Sequence, residues 1–334
     1  MFTFLKRLKY FLLFFLPLLI LILILALGSP TKPGDTRYGV TFSAKHARSL
    51  GLDWKKSYLA MLDELNVRRL RLVAYWDEAE ATPGVFNWTD LDWQVNEAAK
   101  RGGTVILAVG GRLPRWPECH FPGWSVKLTK DEREAKILEY IKKTVERYRV
   151  NDAVIAWQVE NEAFLSGFGE CPKFDPDFLD KEIALVKTLD ARPLVITDSG
   201  ELSIWIPAAR RANIFGTTMY RDTYSRWFKQ YIHYPITPGF FNFKRRITGW
   251  FAHPQDWIVI ELAAEPWGPV SYKEMTQEEK DRTMSLAKFK DMVEFSRLAG
   301  FKTFYLWGAE WWYWEREVKK QPAYWDYAKT LFSR

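Results

Sequence analysis

Eight short apolar or β-branched runs recur along the chain, each separated from the next by a longer polar or amphipathic stretch, and this alternation constrains the fold more than any other feature. The runs cover residues 38–42, 69–75, 104–109, 153–159, 193–197, 214–219, 257–261 and 303–307. Helices are expected between them at 54–65, 92–101, 130–148, 177–189 and 276–299. Strands that alternate with helices pair in parallel through right-handed crossovers, and eight such units in about 300 residues is the count that closes an α/β (β/α)8 TIM barrel. A chain of 334 residues can bury that core as one domain. The alternative is an open doubly wound sheet, but its Gly-x-Gly-x-x-Gly turn is missing. Gly110-Gly111 follows a run, yet Pro114 stands where a helix would have to open around a phosphate.

The fourth and seventh runs each deliver a glutamate at the C-terminal end: Glu162, directly after Asn161, and Glu261, which closes Asp256-Trp-Ile-Val-Ile-Glu. Barrel active sites are built at that end from the loops that follow the strands. A single strand-terminal glutamate is usually a solvated or salt-bridged end. Two that can face each other are the working parts of glycoside hydrolysis, one protonating the leaving oxygen while the other attacks or activates water. Glu160 competes with Glu162, and Glu265, in the loop beyond the seventh run, competes with Glu261. The loops at 76–88, 112–124, 163–174, 220–224, 262–272 and 308–315 concentrate polar and aromatic residues. With 17 Trp the chain has flat apolar faces to spare, and such faces pack against the C–H faces of sugars. The long segment 220–253 is expected to hold a sixth barrel helix and an excursion bordering the cleft, with a basic and aromatic membrane-surface patch as the rival reading.

The formal charge of +7 is partly terminal, and no basic stripe interleaved with readout aromatics appears, so nucleic acid is not an expected partner. Lys6, Arg7 and Lys9 precede an unbroken run of 18 residues, Tyr10 to Leu27. As a helix this run spans about 27 Å, close to the hydrocarbon thickness of a bilayer. We therefore expect residues 1–28 to form a membrane anchor, 29–37 a linker and 38–334 the barrel, with the barrel outside the cytoplasm. A cleaved signal ending near Ala26-Leu27-Gly28 is the alternative and would leave the barrel secreted. In an oxidising compartment Cys119 and Cys171, in the loops after neighbouring strands, can close a disulfide; two free buried thiols are the alternative. The four His are scattered and none pairs at ligand spacing, so no metal and no cofactor is expected. A monomer is expected.

These residues resemble the retaining glycoside hydrolases of clan A. Trp157-Gln-Val-Glu-Asn161-Glu162 is similar to the fourth-strand signature of family 5, with Ala163 where that family usually has Pro. Trp76-x-x-x-Glu80-x-x-Pro83-Gly84-x-Phe86-x-Trp88-x-x-Leu91-Asp92 resembles the second-strand segment of the family 42 and family 35 β-galactosidases and of several family 5 enzymes. Pro114-Arg-Trp116 is again similar to family 42. The resemblance covers nearly all of residues 38–334. It implies Glu162 as acid/base, Glu261 as nucleophile and Asn161 as the amide that binds the sugar 2-hydroxyl. It also implies Arg71 (or Arg69) and Tyr220 as supports of the nucleophile and Trp307 as a platform beneath the sugar, with Trp267 and Trp76 among the substrate-binding aromatics. The substrate class implied is an extracellular oligo- or polysaccharide. A carbohydrate-binding protein on an inactive barrel and an envelope transglycosylase are the rival functions. The first would lack converging carboxylates; the second differs in its products.

Overall fold

A computed structural model of the protein describes residues 2–27, 30–32, 34–165 and 167–332, with the backbone alone for 2–8 and 22–27. The eight runs become β1 (Arg37–Thr41), β2 (Arg69–Val73), β3 (Thr104–Val109), β4 (Val154–Val159), β5 (Leu194–Asp198), β6 (Ile214–Met219), β9 (Asp256–Ala263) and β10 (Thr303–Trp307). They close in the order β1-β2-β3-β4-β5-β6-β9-β10, with every neighbouring pair parallel. The two strands outside the barrel, β7 (Asp222–Ser225) and β8 (Gln230–His233), form an antiparallel hairpin in the crossover after β6. A helix at Pro238–Thr248 follows it, so segment 220–253 is the helix plus excursion that its sequence suggested.

Strand side chains alternate between two cores. Ile106, Ala156, Val195, Ile258, Ile260 and Tyr305 fill the barrel interior, while the outward set, including Trp157, Phe215 and Leu306, packs against the helices. Some helix starts are set by side-chain caps: Thr129 and Glu132 form a reciprocal capping box at the head of Lys130–Tyr148. The expected helix at 276–299 is two helices, Gln277–Met284 and Leu286–Arg297. Ser285 divides them, and its hydroxyl caps the second by accepting from Lys288 N at 3.2 Å.

The seventh barrel strand, β9, holds the feature that most affects the site. Against β6 its pairing steps from Thr217↔Val259 to Thr218↔Glu261, and against β10 from Phe304↔Val259 to Leu306↔Leu262. One extra residue has entered β9. Such a bulge re-aims the side chains that follow it, so Ile260 belongs to the interior core while its immediate neighbour Glu261 joins the polar mouth. Glu261 is thus not the last residue of its strand, which runs on to Ala263.

The N-terminal segment forms a helix, Phe2–Leu27, whose described side chains from Tyr10 to Leu21 are exposed. Among the described residues no helix is long and apolar enough to cross a membrane. The side chains of 22–27, and Gly28 and Ser29 of the expected cleavage region, lie outside the described residues.

Candidate active site

At the C-terminal mouth of the barrel one guanidinium organises three strands. Arg71, completely buried on β2, donates from Nη1 to Glu261 Oε1 at 2.6 Å, from Nη2 to Asn161 Oδ1 at 2.6 Å and from Nε to Gln158 Oε1 at 2.7 Å. Tyr220, just past β6, donates its hydroxyl to the other oxygen of Glu261 at 3.0 Å. Both Glu261 oxygens are therefore committed to donors, one of them cationic. Charge-assisted contacts of this kind hold a carboxylate in one orientation. Arg69, the alternative to Arg71, does not enter this network among the described residues.

Glu162 lives in a different environment. Thr218 Oγ1 lies 3.3 Å from Glu162 Oε1 and 3.4 Å from Glu201 Oε2, with one proton to share between them. No ion pair engages Glu162 among the described residues. Burial, then the charges of Glu261 and Glu118, push its carboxyl well above the ordinary range. The two glutamates converge through Thr218, which is the register partner of Glu261 on β6 and the hydroxyl contact of Glu162. Both are almost covered, Glu162 at 6% and Glu261 at 4% exposure.

Three residues of this mouth escaped the sequence reading. Glu118 accepts from Asn161 Nδ2 at 3.0 Å, and burial followed by repulsion from Glu261 pushes it up to about 8. Burial likewise raises Glu201 to about 7; its Oε1 accepts from Tyr220 N at 2.7 Å. Gln158 binds Arg71 and also donates to Glu160 O at 2.9 Å. Only Gln158, one turn of alternation before Glu160 on a strand otherwise apolar from 153 to 157, carried a signal in the sequence. Glu118 and Glu201 stand in loops, where periodicity says nothing.

The rivals are accounted for by their partners. Glu160 accepts from the backbone N–H of Gly111 and Arg112, both at 2.6 Å. It faces Gly110, where a Cβ would strike its carboxylate. It thus ties β4 to the loop after β3. Glu265 is held by Arg115. Cys119 and Cys171 are joined in a disulfide with Cα atoms 5.2 Å apart, linking that same loop to the loop after β4.

The expected aromatics divide. Trp267 packs edge-on to Tyr220, ring centroids 5.2 Å apart, at the rim of the mouth. Trp76 cannot bind substrate: it is 0% exposed and its indole N–H is donated to Glu80 at 2.8 Å. Its position in the resembling motif reflects core packing among Phe121, Trp124 and Tyr140. Trp307 does border the mouth at the end of β10, but its ring is covered by the Arg115 guanidinium 4.0 Å from its centroid.

With this geometry in view, comparison with known proteins is consistent in direction. The sequence model for glycosyl hydrolase family 10 matches residues 67–172, from just before β2 to the disulfide. The resemblance to clan A glycoside hydrolases holds. No curated protein matches the chain in sequence. Among solved structures, a β-galactosidase from the psychrophilic Marinomonas ef1 is 15% identical, with 81% of this chain and 54% of that one covered and a TM-score of 0.53. GH5_18 from Streptomyces cattleya in complex with GlcNAc is 14% identical, with 83% and 71% covered and a TM-score of 0.55. A psychrophilic glycoside hydrolase family 10 endo-β-1,4-xylanase is 15% identical, with 82% and 85% covered and a TM-score of 0.53. At such identities the likeness is one of fold. The chain spans about half the length of the Marinomonas protein.

Proposed function

We propose that this protein is a retaining glycoside hydrolase, with Glu261 as nucleophile and Glu162 as acid/base. The observation that carries this reading is the asymmetry between two converging carboxyls. Glu261 is bonded by Arg71 and Tyr220, whereas Glu162 has a hydroxyl contact and is pushed up by burial and by Glu261 itself. Pairs whose environments separate their protonation states divide acid from nucleophile. Glu261 attacks the anomeric carbon as Glu162 gives its proton to the departing oxygen, leaving a glycosyl ester on Glu261. Glu162, now a carboxylate, takes a proton from water, which attacks the same carbon and frees Glu261. Two inversions leave the configuration unchanged. A Trp-lined barrel without turnover has no need of this arrangement.

The substrate class is an oligo- or polysaccharide outside the cytoplasm, reached from an anchor at residues 10–27. What supports this placement is the cationic start of the chain, the apolar run and a disulfide suited to an oxidising compartment. Two experiments test the proposal. Residues 35–334 are incubated with aryl glycosides and neutral polysaccharides, and the first product is followed by proton NMR; an inverted anomer refutes the mechanism. External protease is added to spheroplasts carrying the full chain; a protected barrel refutes the placement.

A further inference from the structure

Glu162 stands three residues past the end of β4 and Glu261 two residues before the end of β9, both at the C-terminal mouth. A glycan lying past both carboxyls runs across the mouth between the β5–β6 side and the β1–β2 side, given the strand order round the barrel. On the β1–β2 side one side chain crosses that path. Arg115 follows β3, and its guanidinium reaches the loops after β9 and β10, on the opposite side of the barrel from β3. There it pairs with Glu265, donates to Glu310 Oε2 at 2.9 Å and lies over the Trp307 ring. Trp307 itself hydrogen-bonds Glu265.

This bridge is built in. Arg115 is 7% exposed and stands at φ 85°, a left-handed conformation that a non-glycine residue keeps only where its surroundings over-determine it. Its carbonyl accepts from Glu118 N at 2.8 Å and lies 3.0 Å from His120 Nε2. Cys119, four residues on, is locked to Cys171. On the far side Glu310 is fixed by Ser43 N at 2.6 Å. A sugar on the face of Trp307 would need the same ~3.5–4.0 Å layer of contact that the guanidinium fills. The cation is already neutralised by two carboxylates, so it is a wall and not a receptor for an acidic sugar.

We propose that Arg115 makes the cleft blind at its Trp307 end, so that the protein takes the terminal sugars of a glycan and does not cut within the chain. This rests on the glycosidase reading above. The test compares the parent with Arg115→Ala, and with Arg115→Ala/Glu265→Gln/Glu310→Gln, which removes the stranded charges should the single variant fail to fold. Circular dichroism melts establish which variant to use. On soluble xylan, galactomannan and mixed-linkage β-glucan, the parent should release reducing sugar from one of them with polymer viscosity unchanged, and the opened variant should lower viscosity. A parent that lowers viscosity early overturns the proposal.

Binding separates this idea from the glycosidase reading, because it needs no turnover. Both forms, in a Glu162→Gln background, are run through native gels cast with each polymer. Retardation of the opened variant alone supports a blind end, even if nothing is cleaved. Equal retardation of both, or of neither, overturns it. Cleavage of no glycan by the parent counts instead against the glycosidase reading.

Discussion

Arg71 and Glu261, 190 residues apart in sequence, meet at 2.6 Å inside the mouth of the barrel. The same guanidinium holds Asn161 and Gln158, so one side chain fixes the expected nucleophile and the expected sugar-binding amide relative to each other. Arg71→Lys keeps the charge and loses the fork, so it cannot serve all three acceptors. Loss of one hydrogen bond to a charged group is worth about 1.5–3 kcal/mol, and kcat should fall roughly 10- to 100-fold for that loss. Unchanged kcat on the best aryl glycoside contradicts this role.

The two glutamates should fail differently. Glu261→Ala removes the nucleophile, so turnover should drop by orders of magnitude on every substrate, and azide should restore it with inversion. Glu162→Ala removes the proton donor, so the loss should be severe with poor leaving groups and mild with dinitrophenyl glycosides. Glu160→Ala and Glu265→Ala act on structure and should not produce either signature. If Glu265→Ala is rescued by azide and Glu261→Ala is not, the nucleophile has been misassigned.

The charge of Glu261 helps hold the proton on Glu162. Activity needs that proton, so the alkaline limb of the pH profile reports the upward shift. In Glu261→Gln, titrated without azide because that anion would restore a negative charge at the same place, the repulsion is gone, and the alkaline limb of the Glu162 ionisation, followed by carboxyl infrared difference spectra, should move to lower pH. A limb that stays put, or moves up, shows that Glu162 is not the group being titrated.

Glu118 gives a stability test that needs no substrate. Its folded-state value is raised to about 8, above the ordinary value of about 4.3 for an unfolded chain. Between those values the folded state binds a proton that the unfolded state has lost. Stability contributed by this group is therefore complete below the lower value and declines as pH rises toward the upper one, by at most about 1.4 kcal/mol per pH unit. Glu118→Gln removes the titration, so its stability relative to the parent should increase from pH 5 to pH 8 in urea melts. A difference independent of pH contradicts the assignment.

The barrel was legible because eight strands wrote eight runs, and the ends of β3, β6 and β10 coincide with the ends of their runs. That Glu162 and Glu261 would stand at one mouth was legible because strand ends converge there, whereas Arg71 and Tyr220 were expected only through the resemblance to clan A enzymes, and the structure brings both into contact with Glu261. Two kinds of information were not legible. The bulge that aims Glu261 inward adds one residue to a strand without changing its composition. The contacts of Arg115, Glu118 and Glu201 are made by loops, whose paths depend on tertiary partners and leave no periodic trace. Trp76 misled for a related reason: a motif position reports that an indole is needed, and here the need is in the core.

The bond between Cys119 and Cys171 fastens together two loops with different duties. One carries Arg115 and Glu118, the other follows Glu162, the proposed proton donor. Neither can move or be replaced alone without tugging on its neighbour, so the pair behaves as one mechanical unit. Anyone grafting a new specificity onto this barrel should transplant residues 110–120 and 163–174 together, cysteines included, because a half-graft would leave the donor's loop without the tether that set its path.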